Sequence, residues 1–172
     1  GYIQDIVPNH MAYHHENLWL TDLLENGPGG DHFEYFDIDI PPGKRAETIK
    51  LSAPFLGRHY AQELNCGKLK LIYDLHGLGI KYYDQRFPLK ASCYLKVFLR
   101  NIKNLQQGLG KNSSLFTNFL GIVYLFENAA DSSKARSQSW MHAKKMLYGL
   151  YTSQHQIKEY IDECIESFNG SP

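Results

Sequence analysis

The segment Asp5-Ile6-Val7-Pro8-Asn9-His10 sets a carboxylate, an amide and an imidazole at the end of an apolar run. Tyr2-Ile3-Gln4-Asp5-Ile6-Val7 is rich in β-branched and apolar residues, the composition of a buried strand, and Pro8 stops it because proline cannot donate to a β-ladder. Asp5 then lies within the strand, with Asn9 and His10 just past its end, where parallel-sheet and barrel enzymes hold their ligands. A plainer reading fits the same residues: Asp5 and Asn9 cap the turn around Pro8, and His10 packs on the adjacent loop.

Other constellations carry less. His10 and His14 are four apart with His15 adjacent, but no third ligand stands at a recognised spacing, so structural or surface histidines are expected and no metal. His15-Glu16-Asn17-Leu18-Trp19 lacks the second histidine of a zincin. Gly110-Lys111 has Leu105 where a P-loop needs glycine and Asn112 where it needs Ser or Thr. Asp37 and Asp39 share one face of an alternating run, and Glu25 precedes a glycine-rich turn; these acids are expected to be solvated or structural rather than a catalytic pair.

The elements that must position these residues follow from hydrophobic spacing. Leu18, Trp19, Leu20, Leu23 and Leu24 predict one short helix over Glu16 to Glu25, ended by Asn26-Gly27-Pro28-Gly29-Gly30. A turn over Asp31 to Phe36 leads into the alternating Phe36-Asp37-Ile38-Asp39-Ile40, a strand pattern closed by Pro41-Pro42-Gly43. Residues 69 to 73 and 79 to 83 read as a hairpin across Asp74-Leu75-His76-Gly77, a loop longer than two residues. From Ala91 the period is helical. Tyr94, Leu95, Phe98, Leu99, Ile102 and Leu105 form one stripe that ends near Gly108 and Gly110. Leu115, Phe116, Phe119, Leu120, Val123 and Tyr124 form the next, behind the caps Ser113 and Ser114. A third helix is expected from about Ser133 to Tyr151, burying Trp140, Met141, Met146, Leu147 and Leu150. In the fourth, Ser153 and Gln156 have capping-box spacing, Ile157, Tyr160, Ile161, Cys164, Ile165 and Phe168 make the stripe, and Asn169-Gly170 ends it.

Composition bounds the rest. A chain of 172 residues, 43% hydrophobic, suits one ordinary domain or two small ones with a real core. Lys plus Arg equal Asp plus Glu at 18 each, so no basic field selects nucleic acid. The longest uncharged stretch, Asn112 to Phe126, is too short and polar to span a bilayer; a soluble protein with no membrane partner is expected. Cys66, Cys93 and Cys164 cannot all pair within one chain and read as reduced core thiols, which points to a cytoplasmic location. Residues 1 to 43 hold eight acids and no Lys or Arg, whereas all the bases follow, which implies two regions. The chain opens at Gly1 directly on the strand-like run, as a piece of something longer would.

The hexapeptide resembles the first characteristic region of the α-amylase superfamily, glycoside hydrolase family 13, whose pattern is DxVxNH at the end of the third barrel strand. Ile6-Val7-Pro8-Asn9-His10-Met11-Ala12, Glu16-Asn17, Asp22 with Leu24-Glu25-Asn26-Gly27, and Phe36-Asp37-Ile38-Asp39 are similar to its maltooligosyltrehalose synthase branch. Pro54-Phe55-Leu56-Gly57, Gly67-Lys68-Leu69, Tyr82-Tyr83-Asp84 and Arg86-Phe87-Pro88-Leu89 resemble domain B of the same branch, and Leu147-Tyr148-Gly149-Leu150-Tyr151 with the Ile157 to Gly170 helix its helical insertion. One departure is Ile40, where that branch would have tryptophan.

The resemblance implies an α+β, mainly helical fragment with a small β region, a domain B-like insertion of a (β/α)8 enzyme rather than a complete barrel, which needs about 250 residues. Its parts would be 1–12, the end of barrel strand 3; 13–90, a domain B-like region; and 91–172, a helical insertion. It implies that Asp5 shapes the floor of the sugar subsite, that His10 hydrogen-bonds the 6-hydroxyl of the glucose there, and that Asn9 ties the strand end to the domain B loop. The family is retaining, with two carboxyls about 5 to 5.5 Å apart. By the resemblance, its nucleophile, acid/base and stabilising acid lie downstream of this segment, so no catalytic residue is expected in the chain. The reaction implied is conversion of the reducing-end α-1,4 linkage of a maltooligosaccharide to an α,α-1,1 linkage by intramolecular transglucosylation, with no cofactor. The partner is then the glucan substrate. An amino-terminal strand without its barrel neighbours is expected to fray, fold back or self-associate through its open edge. Aromatic residues make up 13% of the chain; Tyr94, Phe98, Tyr124 and Tyr160 are expected in the core, while Tyr13, Trp19 and Tyr82 are candidates for sugar contact. Two other readings fit the sequence: another superfamily hydrolase or transglucosidase, and a non-catalytic carbohydrate-binding or protein-interaction module.

Overall fold

Leu71, Ile80 and Phe87 stand side by side across three short antiparallel strands, β1 (Leu69–Asp74), β2 (Gly77–Tyr82) and β3 (Gln85–Pro88). The computed structural model describes residues 1–2, 14–44, 55–110, 112–128 and 134–170. Because side chains alternate across a strand, Leu71, Tyr73, Leu78, Ile80 and Phe87 share the face turned toward the helices. The first hairpin is tighter than its sequence suggests. Asp74 pairs with Gly77, so only Leu75 and His76 make the turn. Asp74 Oδ1 accepts the His76 N–H at 2.8 Å, and Gly77 takes φ 91°, a left-handed conformation open to glycine. The second hairpin turns at Tyr83-Asp84, with Tyr83 at φ 53°. The third strand was read in the sequence only as part of a resemblance, being four residues long and ending on proline.

Seven α-helices are described: α1 (Leu18–Asn26), α2 (Tyr60–Asn65), α3 (Ala91–Phe98), α4 (Ile102–Leu109), α5 (Ser114–Asn128), α6 (Lys134–Ser153) and α7 (His155–Asn169). The fold is therefore α+β and mainly helical. The stripe from Tyr94 to Leu105 is divided between α3 and α4, since the chain turns at Leu99-Arg100-Asn101 while the apolar residues stay in phase. Ser113 Oγ accepts the Phe116 N–H, as a cap should, at 3.3 Å. Ser153 instead ends α6, and α7 starts behind Gln154 without a side-chain cap, so the Ser153–Gln156 capping box does not form. Phe36–Ile40 is irregular backbone, not a paired strand, because the described sheet has no strand beside it.

One core joins the sheet to the helices. Leu71 and Leu78 pack with Tyr94, Phe98, Phe119, Phe126, Trp140, Leu147, Ile157 and Ile161. Aromatic rings meet edge to face through it, Tyr94 against Trp140 at 5.3 Å and Phe119 against Tyr160 at 5.7 Å. Their hydroxyls are used: the Leu78 N–H donates to Tyr94 Oη at 2.7 Å, and the Tyr160 hydroxyl donates to the Phe98 carbonyl at 2.6 Å. Burial pushes both phenols well above their ordinary range. Tyr124 is 45% exposed rather than in the core, and Met141 and Met146 also face solvent; among the α6 side chains described, the buried ones are Trp140, Ala143 and Leu147. Of the thiols, only Cys164 is a core residue. Cys93 is half-buried, Cys66 is exposed, and all three are free.

The outer edge of β1 is closed by a side chain. Asn169, the last residue of α7, accepts the Leu71 N–H on Oδ1 at 2.8 Å and donates Nδ2 to the Leu71 carbonyl at 2.9 Å. Its amide thus reproduces the pair of bonds that another strand would make. Among the described residues, no helix is long and apolar enough to cross a membrane.

Candidate functional site

Asp5, Asn9 and His10, and Tyr13 with them, lie outside the described residues. The chemistry-bearing residues that the structure does bring together follow directly in the chain. Asn17 caps α1, its Oδ1 accepting the backbone N–H groups of Trp19 at 3.1 Å and Leu20 at 3.2 Å. That turns Leu20 and Leu23 inward and leaves Trp19 on the surface.

Asp22, on the same helix, is the hub of the following loop. Its Oδ1 accepts from Asn26 Nδ2 at 2.6 Å, and its Oδ2 accepts the His32 N–H at 2.9 Å and lies 2.8 Å from His32 Nδ1. Gly30 passes so close that a Cβ there would meet Asp22 Oδ2 at 2.8 Å, so a larger residue would push the carboxylate from its place. Burial alone would raise the Asp22 carboxyl, but hydrogen bonds from Asn26 and His32 outweigh it and hold the group below its ordinary value. The His32 ring lies nearly parallel to Trp19, with centroids 5.9 Å apart. Tyr35, from the short 3-10 turn Phe33–Tyr35, stands edge-on to both.

Two ion pairs follow, one joining distant parts of the chain and one within the sheet. Glu25 Oε1 is 2.6 Å from Lys144 Nζ on α6, with both side chains largely buried. Burial pushes the Glu25 carboxyl up, and the attraction of Lys144 only partly offsets it. Arg86 on β3 clamps Asp74 with Nε at 2.9 Å and a second nitrogen at 3.0 Å, and that nitrogen also donates to the Gly77 carbonyl at 2.8 Å. The first-hairpin glycine faces the same spot: a Cβ on Gly77 would come within 2.0 Å of Tyr94 Oη.

Sequence reasoning left Glu25 as a solvated or structural acid, and the structure makes it structural; Asp37 and Asp39 are exposed. Tyr82, a candidate for sugar contact, is 5% exposed, and its hydroxyl accepts the Gly57 N–H at 2.9 Å, which makes it a tie between segments rather than a surface ring. Trp19 stays at the surface. His32, Tyr35 and Lys144 were not singled out from the sequence; the acid-rich loop offered no periodicity, and Lys144 meets its partner 119 residues away. His14, His15 and Glu16 have ligand atoms within 4.8 Å of one another, but they are neighbours in sequence, the histidines half-buried and Glu16 exposed. His15 Nδ1 lies 3.4 Å from Gln85 Oε1 and its N–H donates to the same oxygen, which gives it a structural partner.

Elsewhere, an apolar cleft of about 880 Å³ opens beside the sheet, lined by Leu56, Leu69, Ile80, Phe87, Val97 and Phe168. Comparison of the chain with family models, with curated proteins and with solved structures returns no match.

Proposed function

We propose that the chain is a segment of a maltooligosyltrehalose synthase-like enzyme, which converts the reducing-end α-1,4 linkage of a maltooligosaccharide to an α,α-1,1 linkage. One observation carries the reading: several residues that hold the described loops together lie within the segments that carry the resemblance. Asn17 caps α1, Asp22 gathers Asn26 and His32, Glu25 reaches Lys144, and Gly27 turns at φ 56°. The later matched segments also meet in space. Phe55 stacks on Phe87 with centroids 3.9 Å apart, and Tyr82 binds Gly57. An exposed apolar cleft of the size found beside the sheet also suits a segment that packs against more protein.

In this reading Asp5 lines the floor of the sugar subsite, His10 donates to the 6-hydroxyl of the glucose held there, and Asn9 secures the strand end. The chain contributes one wall of the cleft, and the nucleophile and acid/base come from elsewhere in the enzyme. The test is product analysis: a longer enzyme carrying this segment, given maltopentaose, is expected to yield trehalose-capped product in excess of free glucose. Release of glucose and maltose alone would replace the isomerase with a hydrolase of the same superfamily.

A further inference from the structure

We propose that Trp19, His32 and Tyr35 form a ledge that binds a neutral α-glucan, a contact additional to Asp5, Asn9 and His10; it rests on the proposed action on glucans. Trp19 is 43% and Tyr35 64% exposed, and the two rings meet each other and the His32 ring. Trp19 and His32 lie within 16° of parallel, and Tyr35 meets them at 78° and 83° with centroids 5.1 and 5.4 Å away. Asp22 fixes the group by binding both the backbone and the ring of His32, while Asn17 fixes the start of the helix that carries Trp19. The ledge is therefore preorganised, and its ordering cost is met before any ligand arrives.

Chemistry then selects the ligand. A pyranose offers an apolar C–H face to a flat ring and hydroxyls to the polar groups around it, which an indole, an imidazole and a phenol together match. The exposed Glu34 stands between His32 and Tyr35 in sequence and favours a neutral ligand over an anionic one. A quaternary ammonium would want ring faces converging on one point. Here Trp19 and His32 lie near-parallel and Tyr35 stands edge-on to both.

The test uses the 172-residue chain. Trp140 is 2% exposed, so a ligand-dependent change in tryptophan fluorescence reports Trp19. Maltopentaose is expected to give a saturable change, and Trp19→Ala and Tyr35→Ala each to weaken retardation in glycogen-containing native gels about tenfold. Tyr124→Ala, which removes an exposed ring on α5, is expected to leave it unchanged. No saturable response, or equal losses from Tyr124→Ala and Tyr35→Ala, would overturn the ledge. Equal binding of cellopentaose would overturn its preference for α-glucans, and a response to tetramethylammonium without one to sugars would make it a cation site. Assay of the longer enzyme for trehalose-capped product separates the two claims: an active enzyme with a silent ledge overturns the ledge alone, whereas a sugar-binding ledge in an enzyme that forms no such product supports the ledge and overturns the function.

Discussion

At the residue scale, the fold depends on a few charged side chains placed where water is scarce. Lys144→Met removes the partner of the largely buried Glu25 and is expected to cost about 3–5 kcal/mol at neutral pH, measured by urea denaturation. Replacing both, Glu25→Leu with Lys144→Met, should cost far less, since no lone charge stays buried. The Glu25 carboxyl binds its proton more tightly folded than unfolded. The Lys144→Met penalty should therefore shrink as pH falls toward the ordinary value of 4.5, because the stranded group can protonate. Asp22 has the opposite sign. Its folded value is depressed, so its contribution is fully present above the ordinary value of 3.8 and lost as pH falls below it. Thermal unfolding of Asp22→Asn should accordingly show a large deficit at pH 6 that narrows on acidification below pH 4. A deficit that widened with acid would show that Asp22 is not held as a carboxylate. In sequence Glu25 was legible only as a solvated or structural acid, without its partner. Asp22 could be quoted only within a resemblance, and the long-range partner of Glu25 leaves no local pattern.

At the scale of elements, readability followed periodicity. The α5 stripe apart from Tyr124, the α7 stripe apart from the exposed Phe168, and the core-facing Trp140 and Leu147 of α6 were evident from apolar spacing. The break between α3 and α4 was not, because Leu99 and Ile102 keep the helical phase across the turn. On α6, apolar residues cover far more of the circumference than one face, so the spacing could not tell Met141 and Met146, which are exposed, from Ala143, which is buried. Closure of β1 by Asn169 was likewise hidden, since Asn169-Gly170 reads simply as a helix end. Asn169→Ala removes both bonds to Leu71 and is expected to destabilise the chain by about 1–3 kcal/mol in a denaturant titration. With the edge of β1 unpaired, the variant should also associate more strongly with rising concentration in sedimentation velocity than the wild type does. Unchanged stability and association would mean that the amide is a passive contact.

At the scale of the whole molecule, the sheet and the helices share one apolar core, and the acid-rich loop is fastened to it through Lys144. The α+β, mainly helical architecture could be read from sequence; the placement of the ledge could not, because it depends on where the loop closes. The 172-residue chain alone is expected to show neither hydrolysis nor transglucosylation of maltopentaose, since the retaining reaction needs a nucleophile and an acid/base that the resemblance assigns elsewhere. Robust turnover by the pure chain, abolished by substituting one of its own acids, would contradict the segment reading. The most direct measurement is kcat/KM on maltopentaose for His10→Ala beside His14→Ala in the longer enzyme. A desolvated sugar hydroxyl left without its donor costs about 1–3 kcal/mol, so His10→Ala should fall roughly 5-fold to 150-fold while His14→Ala stays near wild type. Full activity in His10→Ala, with activity lost in His14→Ala, would contradict the assignment and pass the chemistry to the histidine loop.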